Sequence, residues 1–109
     1  MAVVSIGQRN FQEIIQSTRP LLVNFCAPWC GYCRRITPAC ERIADCYTAD
    51  LDVLTVNIDE EDALARQEQI EVIPTLVIYR EGKELGSIVA PESRAMIEEF
   101  IFETLEKHK

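Results

Sequence analysis

Hydrophobic positions along this chain fall into runs of two periods, and the switches between them mark the elements. Val3–Ile6 is a short apolar run and reads as a strand. Asn10 is placed to cap a helix, with Glu13 reaching back from three residues on. That helix carries Phe11, Ile14 and Ile15 and stops before Pro20. Leu21–Cys26 is apolar except for Asn24, the pattern of a central strand buried on both faces. A loop, Ala27–Trp29, leads into a long helix from Cys30 to Tyr47. Its Cys33, Ile36, Cys40, Ile43 and Tyr47 recur on one helical face, and Pro38 inside it predicts a kink.

Asp52–Asn57 reads as the next strand and Asp62–Glu68 as a short helix, with the acidic run Asp59–Asp62 at its N-terminal surface. Thr75–Tyr79 and Glu84–Val89 flank a turn dipeptide, Glu81-Gly82, and form a hairpin. Ser93 caps a last helix whose apolar stripe is Met96, Ile97, Phe100, Ile101 and Leu105; Lys107 suits its C-terminal dipole. The order β α β α β α β β α predicts an α/β fold. Helices cover both faces of a largely parallel sheet that the final hairpin makes mixed. Five strands and four helices fit one domain over residues 1–109, with no repeat, low-complexity segment or linker.

Composition narrows the function classes. Val, Ile, Leu and Phe make up 32 of the 109 residues, enough for a core and too many for a disordered chain. No apolar run approaches the roughly 20 residues of a transmembrane helix. The opening MAVVSIGQRNF lacks a basic segment followed by a long apolar stretch, so a cytoplasmic location is expected. A net charge of −7 disfavours nucleic acid and anionic membranes as partners and serves solubility. Five cysteines are an odd number and too few for a disulfide scaffold. They are packing residues or working thiols.

Cys30 and Cys33 are separated by Gly31 and Tyr32 where a buried strand gives way to a helix. Free N–H groups and the positive dipole end of the first helical turn stabilise a thiolate, so Cys30 should have a lowered pKa. Cys30 should be the exposed, attacking thiol. Cys33, one turn on and facing the core stripe, should resolve the mixed disulfide. Arg34-Arg35 would support the thiolate, or simply form a solvated helix face. Zinc or an iron–sulfur cluster would need a second ligand pair, but no other CxxC occurs and the sole histidine is His108. No metal or cofactor is expected.

Phe25, Ala27, Trp29-Cys30-Gly31-Tyr32-Cys33, Pro38, Asn57-Ile58-Asp59, Ile73-Pro74-Thr75 and Gly82 together give the chain its kinship: over nearly its whole length it resembles the thioredoxin family. The resemblance implies the thioredoxin fold, a central mixed five-stranded sheet flanked by four helices. It implies a cis bond before Pro74, with Pro74 beside the two cysteines. It also implies a substrate groove of Trp29, Tyr32, Ile73, Pro74 and Ala90, in which the Ile73 backbone pairs with an extended substrate segment. The implied activity is protein-disulfide reduction by a monomer. Its partners would be disulfide-containing proteins and an electron-donating reductase, usually thioredoxin reductase.

The chain departs from the family pattern at several positions. Tyr32 replaces the proline of Gly-Pro and restores an N–H. Either that donor reaches the Cys30 sulfur and makes the couple less reducing, or Tyr32 faces solvent and tunes partner contacts. Asn24 and Thr55 stand where the family has a buried aspartate and a lysine. Either Cys33 resolves more slowly, assisted by a water on Asn24, or Asn24 is a satisfied core polar group. This pair also keeps open a binding or chaperone-like module with weak turnover. Ala90 replaces a groove glycine. Cys26 replaces a large aromatic near the disulfide, as a third, regulatory thiol or as buried filler. Cys40 is expected to pack, and Cys46 to be partly exposed.

Overall fold

The computed structural model describes residues 2–3 and 8–108. The elements are β1 (Ala2–Val3), α1 (Gln8–Ile14), β2 (Leu21–Cys26), α2 (Gly31–Cys46), β3 (Asp52–Asn57), α3 (Asp62–Gln67), β4 (Thr75–Arg80), β5 (Lys83–Val89) and α4 (Arg94–Lys107). The expected order is therefore observed. Of the anticipated first strand, Val3 is paired, and residues 4–6 lie outside the described ones. Asn10 is not a cap. Gln8 and Arg9 are already helical, both being good helix formers, so Asn10 sits inside α1.

The sheet has the order β1-β3-β2-β4-β5. β1 and β2 run parallel to β3, while β4 runs antiparallel to both β2 and β5. The sheet is thus less parallel than simple alternation predicts, because β4 re-enters reversed beside β2. Alternation along β2 separates two cores. Leu21, Val23 and Phe25 pack with Phe11, Val56 and Tyr79 on one face. Leu22 packs with Ile36, Ile43, Leu76, Ile97 and Ile101 on the other. The uninterrupted run in β2 is therefore covered on both sides, as a central strand requires.

The β4–β5 turn places Glu81 at φ 53° and Gly82 at φ 80°. Two consecutive positive φ values match the twist of the hairpin, which is why a glycine sits there. Helix α2 runs unbroken across Pro38, and Thr37 Oγ1 donates to the Cys33 carbonyl at 2.9 Å. Helix α4 is capped by Ser93, whose Oγ accepts from Met96 N at 3.2 Å. Met96 itself is exposed, and Thr104 takes a place on the buried face of α4. No helix among the described residues is long and apolar enough to cross a membrane.

Candidate active site

The site begins with how β2 hands over to α2. After Cys26 the chain turns, and Cys30 N–H bonds the Ala27 carbonyl at 3.1 Å. Cys30 is extended (φ −83°, ψ 110°), while its carbonyl already accepts from Arg34 N. It is the N-cap of α2. A serine or aspartate usually fills such a position with an oxygen acceptor. Here the acceptor is sulfur: Cys30 Sγ takes the Cys33 N–H at 3.2 Å. The orphan donors of the first turn are aimed at the thiol.

Burial works against a charge on Cys30, yet its pKa is lowered, because the opposing contacts win. These are the Cys33 thiol, the backbone N–H groups of Cys33 and Tyr32, and the Arg34 charge. The Tyr32 amide, restored where a proline would lack it, is one of the influences that lower the Cys30 pKa. Cys33 is pushed the other way, to about 12, first by burial and then by its hydrogen bond to Cys30. Two thiols three residues apart are thus held at opposite ends of the thiol range. Cys30 is less open than its place before the helix suggests. It is 9% exposed against 1% for Cys33, since the cap geometry folds its side chain back over the first turn.

Tyr32 does not simply face solvent. Its hydroxyl lies 3.1 Å from the Ala90 carbonyl and 3.0 Å from that of Pro91, a donor shared between two acceptors. The Arg35 guanidinium lies over its ring, 5.5 Å from the centroid. The Ile73–Pro74 bond is cis. Phe25 pairs with Thr75, so Pro74 falls at the sheet end where β2 delivers Cys26. The Ala90 N–H bonds the Pro74 carbonyl at 2.8 Å. Tyr32, Pro74 and Ala90 are therefore brought together at one end of the sheet. Pro74 is buried, Ile73 half-buried and Gly31 exposed; Trp29 is 66% exposed, an unusual state for the chain's one tryptophan.

Asn24 overturns its bland reading. It is fully buried between its register partners Thr55 and Leu76, yet neither its Oδ1 nor its Nδ2 has a hydrogen-bond partner. It is not a satisfied core polar group. Cys26 is half-buried rather than buried, and it lines a cavity of about 170 Å³ together with Cys33. Cys40 is buried and Cys46 exposed, as the helical stripe predicts. Sequence reasoning missed the Pro91 carbonyl and the cavity residues Thr37 and Asn57. Only side-chain reach, which spacing does not encode, reveals them. Among the described residues no cluster of three His, Cys, Asp or Glu is set to hold a metal.

The family model described as Thioredoxin matches residues 2–103. The chain is 39% identical over 97 residues to thioredoxin 1 of Synechococcus elongatus, covering 89% of this chain and 87% of that one. It is 35% identical over 108 residues to thioredoxin of Staphylococcus haemolyticus, covering 99% of each. A solved structure of Plasmodium falciparum thioredoxin superposes with a TM-score of 0.85 at 27% identity, over 94% of this chain and 98% of that one.

Proposed function

The chain belongs to the thioredoxin family, thiol–disulfide oxidoreductases with a CxxC active site, and from that premise we propose that Cys30 attacks and Cys33 resolves. The observation that carries this division is the Cys33 N–H held 3.2 Å from Cys30 Sγ, which favours a thiolate on Cys30 alone. The Cys30 thiolate attacks one sulfur of a substrate disulfide. A mixed disulfide forms, and the other substrate sulfur leaves as a thiolate that takes up a proton. Cys33 then loses its proton and attacks Cys30 Sγ. The Cys30–Cys33 bond closes, the second substrate thiol is released, and two electrons have passed to the substrate.

Trp29, Gly31, Tyr32, Ile73, Pro74 and Ala90 form the surface that receives the substrate. Exposed Trp29 offers apolar contact, and the backbone at Ile73 offers strand-like pairing to an extended segment. Asn24 is buried in β2, two residues before Cys26, and supports the resolving step. The substrates are disulfide-containing proteins. The electrons return from a reductase, since the chain has no nucleotide-binding motif, and thioredoxin reductase fits that role. The protein works as a monomeric single domain over residues 1–109 in the cytoplasm. Insulin reduction with dithiothreitol as the electron source tests the reading. Cys30→Ser abolishes turnover, and Cys33→Ser accumulates mixed disulfide; activity retained in Cys30→Ser overturns the assignment.

A further inference from the structure

Cys33 has two sulfur neighbours. Its amide donates to the Cys30 sulfur at 3.2 Å, and its side chain lines the same cavity as that of Cys26. Cys26 ends β2, and Cys33 sits in the first turn of α2. Between the two elements lies the 170 Å³ cavity, into which Cys26, Cys33, Thr37, Thr55 and Asn57 all open. The disulfide-reduction cycle uses Cys30 and Cys33 and leaves Cys26 idle. A thiol beside a disulfide sulfur, however, is itself a candidate attacker.

We propose that Cys26 is a third redox-active thiol, and that the oxidised protein exchanges its Cys30–Cys33 disulfide for a Cys26–Cys33 disulfide. The inference rests on the reading of Cys30–Cys33 as the working couple. The exchange is internally balanced. Cys26 gives up its proton and its sulfur attacks Cys33 Sγ; the Cys26–Cys33 bond forms as the Cys30–Cys33 bond breaks, and Cys30 departs with the electron pair. One disulfide and one thiol are present before and after, so no outside oxidant is needed. The fixed N–H donors around Cys30 make it the better leaving group of the three. Oxidation also removes the Cys30 charge, one of the influences that keep Cys26 protonated. The consequence is an oxidised protein that keeps a free nucleophile at Cys30, the thiol the first turn of α2 activates. Such a species can open a second substrate disulfide and return it rearranged, whereas the Cys30–Cys33 form can only accept electrons.

The intact protein, oxidised by one equivalent of diamide, is trapped with N-ethylmaleimide and cleaved after Trp29, and the label is located by fragmentation mass spectrometry. The expected result is label on Cys30 in part of the one-disulfide population, and loss of that label in Cys26→Ala. Cys26→Ala should still reduce insulin at the parent rate, which shows that it is folded. In a second arm, Cys30→Ser treated with diamide should form a Cys26–Cys33 disulfide that Cys30→Ser/Cys26→Ala cannot form. Cys30 fully protected in the oxidised parent overturns the proposal, as does Cys30→Ser with Cys26 and Cys33 both still open to label. Failure of the underlying couple looks different: Cys30 and Cys33 would both take label in the oxidised parent.

Discussion

The Tyr32 hydroxyl sits 3.1 Å from the carbonyl of Ala90, tying the first turn of α2 to the segment that follows β5. The backbone N–H of the same residue is one of the influences that lower the Cys30 pKa. One side chain thus acts at the substrate surface while its amide acts on the nucleophile, and substitution can separate the two. Tyr32→Phe removes only the hydroxyl, so the redox potential should stay at the parent value while affinity for protein substrates changes. Tyr32→Pro removes the amide donor as well. The thiolate then loses support, the reduced form is less favoured, and the couple becomes more reducing. A tenfold change in the exchange equilibrium corresponds to a drop of about 30 mV. Redox titration against glutathione measures it, and an unchanged potential in Tyr32→Pro rules out the amide's role.

The opposed shifts of the two active-site thiols set a pH profile. Cys30 titrates below the ordinary thiol value of 9.0, and Cys33 near 12. Alkylation of the reduced protein by iodoacetamide should rise as pH climbs through the Cys30 pKa and then level off, because the thiolate is the reactive form. Cys33 should add nothing to that curve at neutral pH. Exposed Cys46 also reacts, so Cys46→Ser provides the clean background. In Cys30→Ser the low-pH step should vanish. Persistence of that step would assign the activated thiol elsewhere.

Much of this was legible in the sequence, for reasons that differ by residue. The run Leu21–Cys26 announces a strand buried on both sides because apolar side chains occupy both parities. Ser93 and Gly82 mark a helix start and a hairpin because their local chemistry permits little else. The cysteine pair was readable because a strand–turn–helix context fixes where the thiols go. What escaped was set by tertiary reach. The direction of β4 beside β2 depends on how a connection packs. The partners of the Tyr32 hydroxyl lie 58 and 59 residues away. The lack of a partner for Asn24 follows from what does not surround it, which spacing cannot state. The accessibility of Cys30 was overestimated because a cap residue folds its side chain over the helix it caps.

Ala90 adopts φ 46°, in the left-handed region that a Cβ disfavours. That strain costs about 1–2 kcal/mol, while glycine loses more entropy on folding, so Ala90→Gly should stabilise by about 0.5–1 kcal/mol. The same change removes a methyl group from the substrate surface beside Pro74. Chemical denaturation should show a higher midpoint with an unchanged slope. Insulin reduction should be retained, with a lower KM if the methyl group narrows the groove. A lower midpoint would mean that the methyl packing outweighs the backbone strain.

Asn24 carries two polar atoms in the core, fully buried and with no hydrogen-bond partner among the described residues. A buried unsatisfied polar group costs about 1–3 kcal/mol. Replacing it with an apolar β-branched residue of similar size suits a central strand. Asn24→Val should therefore stabilise by about 2 kcal/mol, read as a higher urea midpoint at constant slope. Asn24→Asp should do the reverse, because burial penalises the carboxylate and pushes its pKa up. A carboxylate can accept a proton, however, and an amide cannot. Asn24→Asp should thus release substrate faster from the mixed disulfide while being less stable, a split that a purely structural role does not produce. Stopped-flow measurement of the resolving step, paired with urea denaturation, separates the two effects. An unchanged resolving rate in Asn24→Asp would show that this position does not govern the proton of the resolving thiol, leaving Asn24 a destabilising core residue alone.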